Sequence, residues 1–411
     1  MAVHVSSEIG KLREVLVHSP GNELLAVTPA TRADYLYDDI IDLNRARIEH
    51  ARFVAILERF AKVHQVTDLV AEVVSNAEAR HRLVRDTLDI ISSEPLFREL
   101  EQMPSEDLVK TLIEGREEPQ GELARTLNES GYELPPLPNL FFTRDVAMGI
   151  NEHVMIGSMR YGVRWTEELL MKAIFLYNDR VSNRGIIYDG SKEHRLNYTL
   201  EGGDVHTLTR DTLVIGFSER SSPAAIDNLV NIVFDTTEVT NMIVVIMPHA
   251  PTAIHLDMIF TQIDRELCAV YPPYFVGPER LAVLQWKKDR HGMRETRGFF
   301  RALEECGIRM EPVLCGGDRR VLQEREQWSS GCNFLAVQPG VVLSYSRNEA
   351  TLREMEKTGF RIVNGSAFLE EKDKVVDGER AVITFDGGEL VRGGGGARCM
   401  TCPIVRDDPW E

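Results

Sequence analysis

Four stretches of this chain bring together residue types that could do chemistry. The first is Gly393-Gly-Gly-Gly396-Ala397-Arg398-Cys399-Met400-Thr401-Cys402-Pro403, close to the last residue, Glu411. A thiolate is a strong nucleophile, and glycines before it let the backbone approach a ligand closely. The second is His255-Leu256-Asp257, where period-two spacing in an extended segment puts an imidazole and a carboxylate on one face. A histidine there could shuttle protons while the acid holds a cation. The third, Glu201-Gly202-Gly203-Asp204, sets two glycines between two acids. The fourth, Asn139-Leu140-Phe141-Phe142-Thr143-Arg144-Asp145, mixes an amide, an aromatic face and a carboxylate. Taken singly, each also reads as ordinary structure, a cysteine near a frayed tail or an acidic turn. Together they supply acids, a histidine and a cysteine without a metal-ligand set, an inventory that suits a planar cation attacked by sulfur.

Cys399 and Cys402 also have the C-x-x-C spacing of a redox or metal pair. No second such pair exists to complete a zinc site, and Pro403 follows at once where a redox motif would start a helix. Cys268, Cys306, Cys315 and Cys332 sit among apolar neighbours and read as small buried hydrophobes.

The elements that must position these residues follow from the hydrophobic pattern. Glu8 to His18 ends in a strand-like alternation, and a helix follows with an apolar stripe of Ile41, Leu43, Ile48, Phe53, Ile56, Leu57 and Phe60. From about Ala71 to Asn128 helix formers and acids dominate, with Ser105-Glu106-Asp107 marking a helix start. After the prolines at 135, 136 and 138 four hairpins appear, each led by a polar residue: Asp145, Asp204, Asp257 and Asn333. Helical stretches and further strands lie between them. A ββαβ-like unit recurring in this way suggests radial repetition about an axis, with the leading polar residues facing one central cavity.

Composition narrows the classes. With 411 residues, 43% hydrophobic and 27% charged, the chain is an ordinary globule able to bury a large core, as one domain with an insertion or as two. A formal charge of -17 disfavours nucleic acid and anionic membranes and favours a cationic small molecule. The start, Met-Ala-Val-His-Val-Ser-Ser-Glu, lacks a signal-peptide pattern, and no run of about 18 apolar residues could span a bilayer. A cytoplasmic location is therefore expected, and a homo-oligomer is the prior for such a protein.

The stretches "PNLFFTRD", "LEGGDV", "SERSS", "HLDMIF", "REQWSSGCNFLAVQPGVVLSYSRN" and "GGGGARCMTCPIVRD" resemble, in order, the motif series of the arginine deiminases, over essentially the whole chain. The resemblance implies a five-bladed pseudo-symmetric α/β propeller of ββαβ modules, the pentein fold of guanidine-modifying enzymes. It also implies a catalytic domain of residues 1–70 and 129–411 and a helical subdomain inserted at 71–128. The implied activity is hydrolysis of L-arginine to L-citrulline and ammonia through a covalent cysteine thiouronium, without metal or other cofactor. The implied nucleophile is Cys399 and the general acid/base His255. Asp145, Asp257 and Glu201 are the implied guanidinium-binding carboxylates, Asn139 and Phe142 complete the pocket, and Arg164 and Arg220 hold the substrate carboxylate. Spacing alone does not choose between Arg164 and Arg160. The alternatives on the same scaffold are another guanidine hydrolase, such as one acting on agmatine, an amidinotransferase, or a non-catalytic arginine-binding protein.

Overall fold

The hairpins expected from the sequence form the repeating framework of the computed structural model, which describes residues 1–91, 96–118, 121–127, 131–192 and 198–410. Ala147–Ile150 pairs antiparallel with His153–Ile156, the helix Trp165–Tyr177 follows, and Ile186–Asp189 returns parallel to the second strand. Val205–Thr209, Thr212–Phe217, the helix Pro223–Thr236 and Asn241–Ile246 repeat the pattern. So do Phe260–Gln262, Leu267–Val270, the helix Phe299–Glu304 and Glu311–Leu314. Asn241–Ile246 lies inside its sheet, between Thr212–Phe217 and Val283–Lys287, and is buried on both faces, which is why it reads as an almost unbroken apolar run.

Two units depart from the simple order. Leu335–Gln338 and Val341–Tyr345 form a hairpin, but the strand beside Val341–Tyr345 is Ala381–Phe385, inserted ahead of Arg361–Asn364. The remaining unit is split between the chain ends: Cys402–Arg406 runs antiparallel to Leu12–Val17, which pairs parallel with Lys62–Gln65 after the helix Leu43–Leu57. This join fixes the segment that carries Cys399. A sixth, two-stranded sheet among the described residues pairs Arg116–Glu117 with Tyr132–Leu134, and none of the described sheets closes on itself.

The helix Leu43–Leu57 begins where the Asp42 side chain accepts from the Arg45 amide. It buries Ala46, His50, Phe53, Ile56 and Leu57, whereas Ile48, expected in the apolar stripe, is 60% exposed. At 100° per residue Ile48 lies about 200° from Ala46, on the far side of the helix. The helices Val66–Val74, Ala77–Ile91, Phe97–Gln102 and Ser105–Glu114 follow directly on the strand Lys62–Gln65. Their apolar sides, including Val70, Leu83 and Leu112, join one hydrophobic core with Leu16, Leu170 and Ile174. Among the described residues no helix is long and apolar enough to cross a membrane.

Candidate active site

Asp145, Asp204, Asp257 and Asn333 each lie in or next to a short turn one to three residues before the first strand of a hairpin, and all four are buried. The last segment, turning before Cys402–Arg406, brings Cys399 among them. Asn333 clamps it: its Oδ1 accepts from the amides of Arg398 at 2.9 Å and Cys399 at 3.3 Å, and its Nδ2 donates to Cys399 Sγ at 3.1 Å. The thiol itself donates to Asp257 Oδ2 at 3.5 Å.

A narrow cavity of about 30 Å³ opens above the sulfur. Asn139, Phe142, Asp145 and His255 line it with Cys399, and Arg164 and Arg220 lie on its wall. Glu201 and Asp257 stand immediately behind, against His255 and Cys399. Arg160 lies outside this cavity, on a separate surface groove with Ser218 and His249, so of the two arginines left open by spacing it is Arg164 that reaches the cavity. Asp204 does not face the cavity, contrary to the expectation from the hairpin pattern. Its oxygens accept from Ser218 and Ser221 hydroxyls at 2.6 Å and from the Leu256 amide at 2.9 Å, and so it braces the turn carrying His255.

The charges are held in two chains. His255 Nε2 donates to Glu201 Oε2 at 2.7 Å, Arg220 Nη1 donates to the same oxygen at 3.3 Å, and His255 Nδ1 lies 3.7 Å from Asp145 Oδ1. Arg164 gives Nη1 to Asp145 Oδ2 at 2.7 Å and Nε and Nη2 to Glu167 Oε2. Its guanidinium is thus largely committed to fixing Asp145. Arg398, buried below, joins Asp257 Oδ2 at 2.9 Å to Glu8 Oε1 at 3.0 Å. Two carboxylate oxygens stand out: Asp145 Oδ1 and Asp257 Oδ1 are buried without a hydrogen-bond partner among the described residues. Buried carboxylate oxygens are costly to leave unsatisfied, so each marks a place for a donor.

Burial opposes the charged form of His255, but Asp145 and the Glu201 hydrogen bond outweigh it and raise the imidazole to about 9. Burial likewise works against ionised Glu201, yet Arg220 and then His255 bring its carboxyl below the usual range. Burial, then Asp257 and Asp145, push the Cys399 thiol well above its ordinary value. At neutral pH the resting site is therefore a thiol beside an imidazolium, surrounded by carboxylates. Because the folded imidazole titrates at about 9 against 6.5 when exposed, its contribution to stability is complete below pH 6.5 and is lost as pH rises through about 9. The expected result is a loss of on the order of 3 kcal/mol across that window, measured as a fall in Tm from pH 7 to 10 that is smaller in His255→Gln.

The tetraglycine has a steric reason. A Cβ on Gly395 would stand 2.4 Å from Phe142 Cε1, and the Tyr345 hydroxyl donates to the Gly395 carbonyl at 3.0 Å, so the loop lies flat on the aromatic wall. Gly203 is as constrained: a Cβ there would come within 2.6 Å of His255 Nδ1 and 3.0 Å of Asp145 Oδ1. Gly203→Ala should displace the imidazole and cut kcat/KM by about 10²-fold, with a modest fall in Tm, checked by steady-state kinetics beside thermal unfolding.

Asp145, Glu201 and His255 offer ligand atoms within 4.8 Å of one another, a spacing compatible with a metal ion. In the structure Glu201 Oε2 is bonded to His255 and Arg220, and Asp145 Oδ2 to Arg164, while Asp145 Oδ1 has no hydrogen-bond partner among the described residues. Asn333, Arg398, Glu8 and Glu167 were not assigned site roles from the sequence. Asn333 was visible as a hairpin leader, and Arg398 as an arginine in an otherwise uncharged stretch from Gly393 to Val405. Glu8 and Glu167 carry no local signal. Cys402 is buried and its thiol donates to the Ala147 carbonyl, away from the cavity.

A family model described as arginine deiminase matches residues 33–406. The chain is 31% identical to an arginine deiminase of Treponema denticola and 30% identical to one of Listeria welshimeri, each alignment covering 99% of both proteins. Among solved structures it is similar to an amidinotransferase of saxitoxin biosynthesis from Microseira wollei, with TM-score 0.54, 13% identity and 99% and 98% of the two chains covered. It is also similar to the dimethylarginine dimethylaminohydrolase of Pseudomonas aeruginosa complexed with citrulline, with TM-score 0.52, 12% identity and 95% and 99% covered. These likenesses show a shared α/β pentein fold.

Proposed function

This chain belongs to the arginine deiminase family, and from that premise we propose that it hydrolyses L-arginine to L-citrulline and ammonia by sulfur attack within the cavity above Cys399. The observation that carries the mechanism is the pair of unpartnered oxygens, Asp145 Oδ1 and Asp257 Oδ1, beside one nucleophile and one imidazolium. A guanidinium is planar, always charged and forked, so two carboxylates can grip it and hold its central carbon against sulfur. Its positive charge also offsets the Asp257 and Asp145 fields that keep the thiol protonated, so substrate binding itself favours the thiolate.

In this reading Cys399 loses its proton to solvent as the guanidinium binds, its thiolate adds to the guanidinium carbon, and the His255 imidazolium gives its proton to the departing nitrogen, which leaves as ammonia as the C–N bond breaks. A thiouronium remains on sulfur. His255, oriented by Glu201, then takes a proton from water, which attacks the same carbon and releases citrulline as the C–S bond breaks. Phe142 and the glycine loop exclude bulk water. Asn139 and Arg220, on the cavity lining, are the groups this reading assigns to the substrate's far end and its carboxylate, and Arg164 chiefly anchors Asp145. The five ββαβ sheets arranged as blades about the cavity, with residues 71–128 as an inserted helical subdomain of a 1–70 and 129–411 catalytic unit, form part of the same proposal. So do cytoplasmic residence and homo-oligomerisation.

The test is release of ammonia and citrulline from L-arginine with agmatine in parallel. Arg220→Met should slow both substrates, because it also frees Glu201, but should lower kcat/KM for arginine by about 30-fold more than for agmatine, the worth of one charge-assisted hydrogen bond. Preference for agmatine by the unaltered protein would instead favour a decarboxylated guanidine as substrate.

A further inference from the structure

Behind the cavity lies a second concentration of charge for which the reaction has no use. Arg144, Arg398 and Arg406 are each 1% exposed, the largest fully buried side chains among the described residues. Arg398 is satisfied, by Glu8, Asp257 and the Val205 carbonyl. The other two are not. Arg406 donates from Nη1 to the Gly10 carbonyl, but its Nε and Nη2 have no acceptor among the described residues. Arg144 approaches Glu8 only to 3.8 Å, and its Nε and Nη2 are likewise unpartnered.

The charge count agrees with the hydrogen-bond count. Three guanidinium groups face two carboxylates, Glu8 and Asp257, leaving one positive charge unmatched in the interior. His206 beside them does not balance it: burial and then Arg398 hold its ring neutral. Burial, together with Arg144 and Arg398, lowers Arg406 to about 9 despite Glu8, which leaves it charged at neutral pH. Nor is Cys402, the thiol acting on Arg144, an anion, since burial pushes it up to about 12. A buried, unpaired guanidinium is a costly arrangement that a counter-ion relieves.

We propose that Arg144 and Arg406, with Arg398 and Glu8 at their margin, form a buried binding site for one small monovalent anion of the halide class. One charge is what the cluster lacks, and a spherical anion can take N–H donors from two guanidinium edges at once. Such an ion completes the floor of the catalytic cavity. The Arg144 amide donates to the Cys399 carbonyl at 3.1 Å, and Arg398 ties Asp257 to Glu8, so the anion holds the nucleophile's loop through both arginines.

The test is to purify and crystallise the unaltered protein with bromide as the only halide and to record anomalous diffraction at the bromine edge. A peak bonded to the Arg144 and Arg406 nitrogens is expected; bromide on surface sites only, or water at this position, overturns the proposal. In solution, Tm should rise by at least about 2 °C as chloride replaces gluconate at constant ionic strength. Arg406→Met should abolish that rise. If Arg406→Met does not fold, the wild-type anomalous map and chloride dependence decide, and a Tm indifferent to chloride counts against the site.

Discussion

Cys399→Ala is expected to reduce citrulline formation by at least roughly 10⁴-fold while leaving the fold intact. The sulfur makes the covalent bond on which the proposed route depends, and no other thiol can replace it: Cys402 is turned toward the Ala147 carbonyl and away from the cavity. Loss of the side chain costs little structurally. Its partners Asn333 and Asp257 keep their other bonds, to the backbone amides and to Arg398. The check is product release by Cys399→Ala and by Cys402→Ala side by side. Near-normal turnover by the second and none by the first separates a nucleophilic role for Cys399 from a disulfide chemistry that would need both.

Asp257→Asn is expected to lose about 10²- to 10³-fold in kcat/KM for arginine, because it removes half of the guanidinium grip and leaves Arg398 short of a counter-charge. Its effect on the sulfur should run the other way. Asp257 is among the groups that push the Cys399 thiol upward, so removing its charge lowers the thiol pKa and speeds alkylation by iodoacetamide at pH 8. Slower turnover with a more reactive thiol identifies a substrate-binding carboxylate. Slower turnover together with slower alkylation would show instead that Asp257 activates the sulfur, and the substrate-assisted part of the mechanism would fall.

The chemistry of this chain was legible because it is written in short turns. His255-Leu256-Asp257, Glu201-Gly202-Gly203-Asp204 and the glycine run before Cys399 each place a reactive side chain next to residues that only a tight, buried backbone requires. The repeat of hairpin, helix and parallel strand showed in the alternation of apolar runs. What the sequence hid was long-range. That Cys402–Arg406 completes the sheet begun by Leu12–Val17, and that Ala381–Phe385 inserts ahead of Arg361–Asn364, depend on pairings that no local pattern encodes. The partners of buried charges were hidden for the same reason. Arg164 reads from its position as a ligand for substrate, yet Glu167, one helical turn on, and Asp145 hold it in the wall. Glu8 and Arg398 lie 390 residues apart and meet only in the fold.

The central claim is that ammonia leaves arginine while the guanidinium carbon is bonded to sulfur. Mixing the unaltered protein with L-arginine, quenching in acid within the first turnover and mapping the protein by mass spectrometry tests it most directly. The expected result is a mass increase equal to arginine less ammonia, confined to the peptide that carries Cys399 and gone after full turnover. Citrulline formed in that first turnover with no adduct, or with an adduct on any residue other than Cys399, would contradict the account.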